Sequence, residues 1–353
     1  MANIPIFQYD SNDFHYIIDD SNRDASNFDS LLKEKWEQAE KNGILRYKLN
    51  IKEWKILEGQ YRFLAQLNTD RALNRRQPED ISSMNQSFDP GRFNFTKISE
   101  KEIYFYVGSE DGNDAIVVNI SPIEWGHCLF IPERFKCLPQ RITKYSLNKI
   151  IELMLLSNSP YLRAVFNSLC AHASVNHLHW HLYYLKHQML LEYIGLQQLA
   201  GPIFCLTDFP SKGFCLKLSF FPGNNIYKLV EWAYKIVDYL QESEIAHNVY
   251  ITRAKMESKD KEYNDLRVYI WGRNSSIGIK DTRSFVPAVC ELFGHLSIRS
   301  EQSYQNITED EVAATVNQVC SSKFNAVKEK IRKLAVNNTM SEEPSDILLI
   351  HKK

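Results

Sequence analysis

The stretch SVNHLHWHLYYL, residues 174–185, places three histidines at intervals of two residues. On a β-strand, residues i, i+2 and i+4 project from one face, whereas a helix would spread them around its axis. Aromatic and β-branched residues around the histidines favour the strand. The spacing therefore predicts that His177, His179 and His181 line one surface, with the apolar residues between them facing a core.

The residues alone leave three roles open for this histidine cluster. Two histidines at this spacing can bind zinc, although no C-x-x-C pair or H-E-x-x-H motif accompanies them. A neutral imidazole is also a good nucleophile near neutral pH, because its ordinary pKa is about 6.5. Two flanking imidazoles could then donate hydrogen bonds to phosphoryl oxygens. The third role is a purely structural cluster.

Composition excludes several classes of protein. The 353 residues include 42 basic and 43 acidic side chains, so no strongly basic face is expected, which argues against a nucleic-acid-binding protein. The first 20 residues do not resemble a signal peptide, and no apolar run is long enough to span a membrane. Seven cysteines without a C-x-x-C pair indicate reduced thiols. We therefore expect a cytoplasmic protein that does not bind membranes.

Hydrophobic periodicity predicts an α+β protein with a mainly antiparallel sheet. Apolar residues recur at helical spacing over residues 28–39 and again over residues 51–64. Alternating, β-rich segments follow at residues 103–107, 115–120, 128–131, 163–169, 177–185, 248–252 and 266–271. We expect two sheet–helix halves packed as one body, over residues 26–200 and 201–345. Residues 1–25 are predicted to form a loose arm, and the alternative is that Phe7, Tyr9 and Phe14 dock on the body.

Beyond the spacing, the histidine run resembles the histidine-triad signature H-φ-H-φ-H-φ-φ, where φ is apolar. Further segments are similar to the GDP-hexose phosphorylases, which are relatives of galactose-1-phosphate uridylyltransferase in the histidine-triad superfamily. These segments are AQLN (65–68), FNFTK (93–97), NISPIEWGH (119–127), CLPQR (137–141) and PAVCE (287–291). The resemblance spans about residues 50–335. It implies that residues 26–200 form a histidine-triad-like half built on an antiparallel sheet with flanking helices.

The resemblance also implies a mechanism. His179 would attack the α-phosphate of a GDP-hexose and become GMP-histidine, and inorganic phosphate would then release GDP. His177 would orient the site, and His181 would donate to the α-phosphate or the bridging oxygen. His181 stands where the plant GDP-L-galactose phosphorylases have Gln, so the expected substrate is GDP-D-glucose. The cysteines that bind zinc in uridylyltransferases have no evident match, so no metal or other cofactor is expected.

Several other residues are candidates for binding the nucleotide or phosphate, and each could equally be an ordinary structural residue. Asn176 and Ser174 are candidates for phosphate oxygens, and Gln66, Asn68, Asn94 and Phe95 for the base or ribose. Lys97, Arg253 and Arg273 are candidate cations, and Glu291 is a candidate acceptor for a guanine or sugar group. Competing hypotheses are another GDP-hexose phosphorylase, a histidine-triad hydrolase, a guanine-nucleotide-binding regulator without catalysis and a metal-binding structural protein. Because uridylyltransferases dimerise, a homodimer is compatible with the resemblance.

Overall fold

A computed structural model describes residues 4–21, 24–74, 78–109, 111–276 and 284–339. Its strands are β1 (Ile6–Phe7), β2 (Ile18–Asp19), β3 (Glu53–Ile56), β4 (Leu64–Leu67), β5 (Ile103–Val107), β6 (Ala115–Val118), β7 (Cys128–Ile131), β8 (Leu162–Asn167), β9 (Trp180–Tyr184), β10 (Gln197–Ala200), β11 (Ile203–Leu206), β12 (Gly213–Lys217), β13 (His247–Ala254), β14 (Glu262–Tyr263), β15 (Asp265–Gly272) and β16 (His295–Ile298). Its α-helices are α1 (Asn27–Lys41), α2 (Thr69–Asn74), α3 (Lys144–Leu156), α4 (Ile226–Glu242), α5 (Val289–Leu292), α6 (Glu301–Asn306) and α7 (Glu309–Thr339).

One eleven-stranded sheet runs through the molecule in the order β1-β5-β6-β7-β9-β8-β13-β15-β12-β11-β10. Only the β1–β5 pair in this sheet is parallel, so the mainly antiparallel sheet is as predicted. Strands β8 and β13 pair in the middle of the sheet. The first and second parts of the chain therefore share one continuous sheet.

The two faces of this sheet pack against different layers because side chains alternate along each strand. On β9, Trp180 and Leu182 join the core formed with helices α1, α3 and α4. Tyr183 joins the core on the opposite face, with β4, β16 and the first half of α7. The strand itself begins only at Trp180, so His177 and His179 lie in the segment that enters it. Leu178 still joins the first core, so the predicted alternation holds through the histidine run.

The helix predicted over residues 51–64 is wrong. This segment instead contains β3 and leads into β4, and these two strands form a small sheet with β16. All four residues of β4 are buried, and β4 pairs in parallel with β16, more than 220 residues later in the sequence. Strand β3 shows no alternation of burial, since its first two residues are exposed and its last two are half-buried, so local periodicity is misleading here.

The arm predicted to be loose is packed against the body over its described residues. Strand β1 extends the central sheet beside β5, and β2 pairs with β14. The Phe7 ring lies 5.5 Å from that of Phe28, and the Tyr9 hydroxyl donates to Glu152 at 2.6 Å. Aromatic burial and strand pairing thus offset the entropy cost of ordering this polar segment.

No helix in the described part of the chain is long and apolar enough to cross a membrane.

A buried ion pair anchors β8 to the connection that follows β9. Arg163 donates to Glu192, and both side chains are 0% exposed. Glu192 also accepts hydrogen bonds from the Met189 amide at 3.0 Å and the Tyr263 hydroxyl at 3.2 Å. Removing one partner would leave an uncompensated buried charge, which is expensive in a low-dielectric interior.

We therefore expect Glu192→Ala to lower the free energy of unfolding by about 3–5 kcal/mol. The measurement is urea unfolding followed by tryptophan fluorescence. Glu301→Ala is the matched control, because it breaks an exposed pair with Lys52 and should cost less than about 1 kcal/mol. Equal unfolding midpoints for the two variants would show that the buried pair contributes no more than the exposed pair.

Candidate active site

The backbone of His179 is held by a buried side-chain amide. Gln140 accepts from the His179 N–H at 2.9 Å and donates to its carbonyl at 3.1 Å. The Gln140 side chain thus pairs with His179 as a neighbouring strand would. The Gln140 N–H is itself bound by the Asn176 side chain at 2.9 Å. This pairing fixes the backbone from which the central imidazole projects.

The His179 ring has a defined tautomer. Its Nδ1 lies 2.7 Å from the carbonyl oxygen of His177. A carbonyl oxygen can only accept, so Nδ1 must carry a proton. In the neutral ring, Nε2 therefore keeps its lone pair. That atom is the one available for nucleophilic attack.

His177 supports the site from a buried position. Its Nδ1 lies 3.0 Å from the backbone nitrogen of Phe95, which can only donate, so the His177 proton is on Nε2. Burial lowers the pKa of His177 to about 4. The ring is therefore neutral at physiological pH, and it joins residues 93–97 to the histidine run.

A fourth histidine, His127, determines the tautomer of His181. The Ile123 N–H donates to Nδ1 of His127 at 2.9 Å, so neutral His127 carries its proton on Nε2. This Nε2 lies 3.0 Å from Nδ1 of His181 and from Nδ2 of Asn119. The amide nitrogen of Asn119 cannot accept a hydrogen bond, so Nε2–H of His127 donates to Nδ1 of His181. His181 consequently keeps its own proton on Nε2 as a hydrogen-bond donor.

Burial keeps this histidine pair uncharged. The pKa of His127 and that of His181 are both lowered well below 6.5, mainly because the rings are buried. The charges of neighbouring histidines and of Arg71 lower both pKa values further. The tautomers deduced for the neutral rings therefore apply at neutral pH.

A cavity of about 690 Å³ opens beside the triad, a size typical of small-molecule sites. His181 and Phe95 line it, and the ring of each lies 5.1 Å from the His179 ring. His179 is 2% exposed and is not itself a lining residue, but its ring contacts these two residues that line the cavity. Glu291 also lines the cavity, and burial raises the pKa of its carboxyl to about 7.

This arrangement suits transfer of a phosphoryl group to nitrogen. It provides an imidazole whose lone pair, in the neutral ring, is on Nε2, and a neighbouring N–H donor for developing charge on oxygen. No group of three or more His, Cys, Asp or Glu side chains is arranged to hold a metal ion within the described ranges.

Family models match almost the whole chain. Residues 27–183 match the model for the GDPGP1-like N-terminal domain, and residues 189–338 match the model for the GDPGP1-like C-terminal domain. The chain belongs to the GDPGP1-like family. The matched residues include the triad and all the described residues that line the cavity.

Members of the GDPGP1-like family with assigned names are similar over most of their length. GDP-D-glucose phosphorylase 1 of Danio rerio is 40% identical over 323 residues, which are 88% of this chain and 93% of the relative. The Homo sapiens protein of the same name is 40% identical, covering 82% of this chain and 79% of its own. GDP-L-galactose phosphorylase 2 of Arabidopsis thaliana is 29% identical, with 83% and 73% covered.

Among solved structures, yeast Ap4A phosphorylase Apa2 is similar to this GDPGP1-like chain with a TM-score of 0.60. The similarity covers 84% of this chain and 97% of the yeast protein, at 14% sequence identity. At this identity the match establishes a shared fold. The expected histidine-triad-like fold is therefore confirmed.

The structure brings some of the residues predicted to bind nucleotide or phosphate to the cavity. The cavity is lined by Asn68, Phe95 and Ser174, together with His181. Asn68 is 2% exposed, and its Nδ2 has no hydrogen-bond partner among the described residues. Phe95 packs against two triad rings rather than standing free to stack.

Other predicted residues make internal contacts instead. Asn176 donates to the carbonyls of residues 86 and 87, and Asn94 accepts from the Thr96 N–H and hydroxyl. Gln66 bonds to His295 at 2.6 Å and donates to Glu124 at 2.8 Å. Their proposed roles in binding stay predictions that these contacts do not support.

The candidate cations also do not line the cavity, although Arg273 contacts His172 at 3.3 Å and Ser276 at 3.1 Å, which do. Lys97 donates to the carbonyls of residues 90 and 92, and Arg253 donates to the carbonyls of residues 154 and 157. Arg273 donates to Asn248 at 3.2 Å and to Pro287 O. Among the described residues, the arginines that line the cavity are Arg71 and Arg299, which sequence reasoning did not single out.

His127 and Gln140 are further functional residues to which the sequence analysis assigned no role. Both lie in segments that resemble the family, within 119–127 and 137–141, but far from the triad in sequence. The available signal was the residue type: a histidine after Gly126 and a glutamine beside a proline-containing turn. Only the pairing of β7 with β9 shows that His127 and His181 meet.

These contacts predict distinct tautomers. In long-range ¹H–¹⁵N spectra of protein with ¹⁵N-labelled histidine, we expect His179 as the Nδ1–H form and His127, His177 and His181 as Nε2–H forms. The last three should stay neutral at and below pH 6.5, where an ordinary histidine becomes charged, because burial lowers their pKa values.

Single substitutions assign the signals, and urea-unfolded protein is the control, since its histidines should titrate near about 6.5. In His127→Ala, His181 should no longer be predominantly in the Nε2–H form. An Nδ1–H signal for His181 in the unsubstituted protein would refute the role given to His127.

Proposed function

We propose that the chain catalyses phosphorolysis of GDP-D-glucose, giving GDP and D-glucose 1-phosphate through a GMP–His179 intermediate. The observation that carries the proposal is the tautomer of His179, whose Nδ1 contact with the His177 carbonyl places the lone pair of the neutral ring on Nε2. The relatives named GDP-D-glucose phosphorylase 1 support the substrate and the reaction.

In the first half-reaction, Nε2 of His179 attacks the α-phosphorus of the sugar nucleotide. The N–P bond forms as the bond to the bridging oxygen breaks, and the electron pair leaves on hexose 1-phosphate. The second pKa of a phosphate monoester is about 6, so the leaving group needs no strong acid. Nε2–H of His181 stabilises charge on the phosphoryl oxygens.

In the second half-reaction, an oxygen of inorganic phosphate attacks the phosphorus of GMP–His179. The P–N bond breaks, its electron pair returns to Nε2, and GDP leaves. The Nδ1–H contact with the His177 carbonyl keeps the His179 ring in one orientation. This orientation favours both the formation of the N–P bond in the first half-reaction and its cleavage in the second.

GDP-D-glucose is the preferred assignment among GDP-hexoses. The vertebrate relatives named for that substrate reach 40% identity, against 29% for the Arabidopsis thaliana GDP-L-galactose phosphorylases. His181 in the third triad position agrees with this choice. A homodimer and a cytoplasmic location remain expectations of the sequence analysis.

The first test mixes purified protein with GDP-D-glucose, with and without inorganic phosphate, and separates the nucleotides by chromatography. We expect rapid GDP formation only with phosphate. His179→Ala should lower the rate by about 10⁴-fold or more, because it removes the nucleophile. Substrate with ³²P at the α-position should label the wild-type protein and leave His179→Ala unlabelled.

His187→Ala is the matched control. His187 packs on Trp54 at 4.4 Å between ring centroids and does not line the cavity beside the triad, so this variant should keep its activity. GMP formed at one rate regardless of phosphate would indicate a hydrolase. An intact sugar nucleotide in both tubes would favour the non-catalytic regulator.

A further inference from the structure

Two buried polar groups in the wall of the cavity have unmet hydrogen-bonding capacity. Nδ2 of Asn68 and Oγ of Ser121 have no partner among the described residues. Asn68 is 2% exposed and Ser121 is 8% exposed, and both line the cavity beside His181. A buried polar group without a partner is costly and rare in folded proteins. Both groups can donate, so their unmet capacity points to a ligand rich in acceptors.

Arg71 links these two groups into one unit. Its backbone N–H donates to Oδ1 of Asn68 at 3.1 Å, which leaves Nδ2 of that amide as the remaining donor. Nη1 of Arg71 donates to the carbonyl of Ser121. A guanidinium has five N–H donors, so this contact leaves most of them for other partners. The unit therefore combines a positive charge with two neutral donors.

Charge around this unit favours an anion. Arg71 forms no ion pair with a carboxylate in the described part of the chain. Arg71 lines the same cavity as His181, and its charge helps to lower the pKa of His181, after the effects of burial and of the other histidines. Burial raises the pKa of the Glu291 carboxyl, which lines the same cavity, to about 7, and the charge of Arg71 acts in the opposite direction. That carboxyl therefore carries only part of its negative charge at neutral pH.

We propose that Asn68, Arg71 and Ser121 form the acceptor-phosphate subsite of this enzyme. The proposal rests on the function proposed above. The subsite holds the β-phosphate of the sugar nucleotide in the first half-reaction and inorganic phosphate in the second. A phosphate has several strong acceptor oxygens, and a guanidinium with two further donors matches them.

The subsite also explains how phosphate competes with water. Both can attack GMP–His179, and water is present at far higher concentration. Binding one phosphate beside the phosphorus makes its attack effectively unimolecular and properly oriented. Loss of the subsite should therefore slow attack by phosphate while leaving attack by water nearly unchanged.

The experiment uses full-length protein labelled as GMP–His179 with [α-³²P]GDP-D-glucose and freed of small molecules. Portions are chased with inorganic phosphate or with buffer alone, and GDP and GMP are quantified. In Arg71→Gln, the second-order rate of GDP release should fall about 10- to 100-fold, the range for loss of a hydrogen bond to a charged group. The buffer-only release of GMP should change less than about threefold, so the ratio of GMP to GDP should rise.

Two further variants test the Ser121 hydroxyl and the Arg71 charge separately. Ser121→Ala removes only the hydroxyl and keeps the carbonyl that binds Arg71, so it should lower phosphate attack about tenfold or less. Arg71→Lys keeps the charge, so its rate of GDP release should lie between those of the wild type and Arg71→Gln. The product ratio does not depend on how much of a variant is folded. Arg332→Gln, on the exposed face of α7, is the charge-matched control and should behave as wild type.

The outcomes separate this proposal from the function on which it rests. If wild-type protein forms no labelled intermediate, the proposed reaction itself is wrong. If the intermediate forms and Arg71→Gln reacts with phosphate at the wild-type rate, the subsite lies elsewhere. Equal slowing of the reactions with phosphate and with water would show that Arg71 holds the GMP group or the fold instead, which also overturns the proposal.

Discussion

The hydrogen bond from Nδ1 of His179 to the carbonyl of His177 decides what the site can do. An imidazole has two nitrogens, and protein contacts choose which of them carries the proton. Here the choice leaves the lone pair of the neutral ring on Nε2. The contact requires the backbone to turn the His177 carbonyl toward the ring two residues later. Gln140 secures this geometry by pairing with both backbone groups of His179.

Burial makes the same arrangement insensitive to protons from solvent. Desolvation disfavours an imidazolium, so the pKa of His177 falls to about 4 and those of His127 and His181 fall well below 6.5. The pair of His127 and His181 can then keep a single direction of donation over the physiological pH range. Charge develops beside the triad only when a phosphoryl group arrives, and fixed donors already face it.

Sequence alone was informative where structure is local. The alternation of histidines with apolar residues predicted that the apolar residues face the core and the histidines face the site, because side chains on a strand alternate with a period of two. The family resemblance singled out His179. The roles of His127, Gln140 and Arg71 depend on pairings such as β7 with β9, which no local pattern encodes. The helix expected over residues 51–64 failed for a related reason, because β3 shows no alternation of its own and pairs with β4, which in turn pairs with a strand from the far end of the chain.

That distant pairing also shows why neither half can form the site alone. Asn68 and Arg71 follow β4, whereas Glu291 and Arg299 flank β16, and the parallel β4–β16 pair sets these segments side by side. The triad itself enters β9 in the first half, and β8 beside it is bonded to β13 of the second half. Separating the halves would expose β8 and β4 as unpaired edges. It would also remove the wall of the cavity opposite His181, so the two halves form a single catalytic unit.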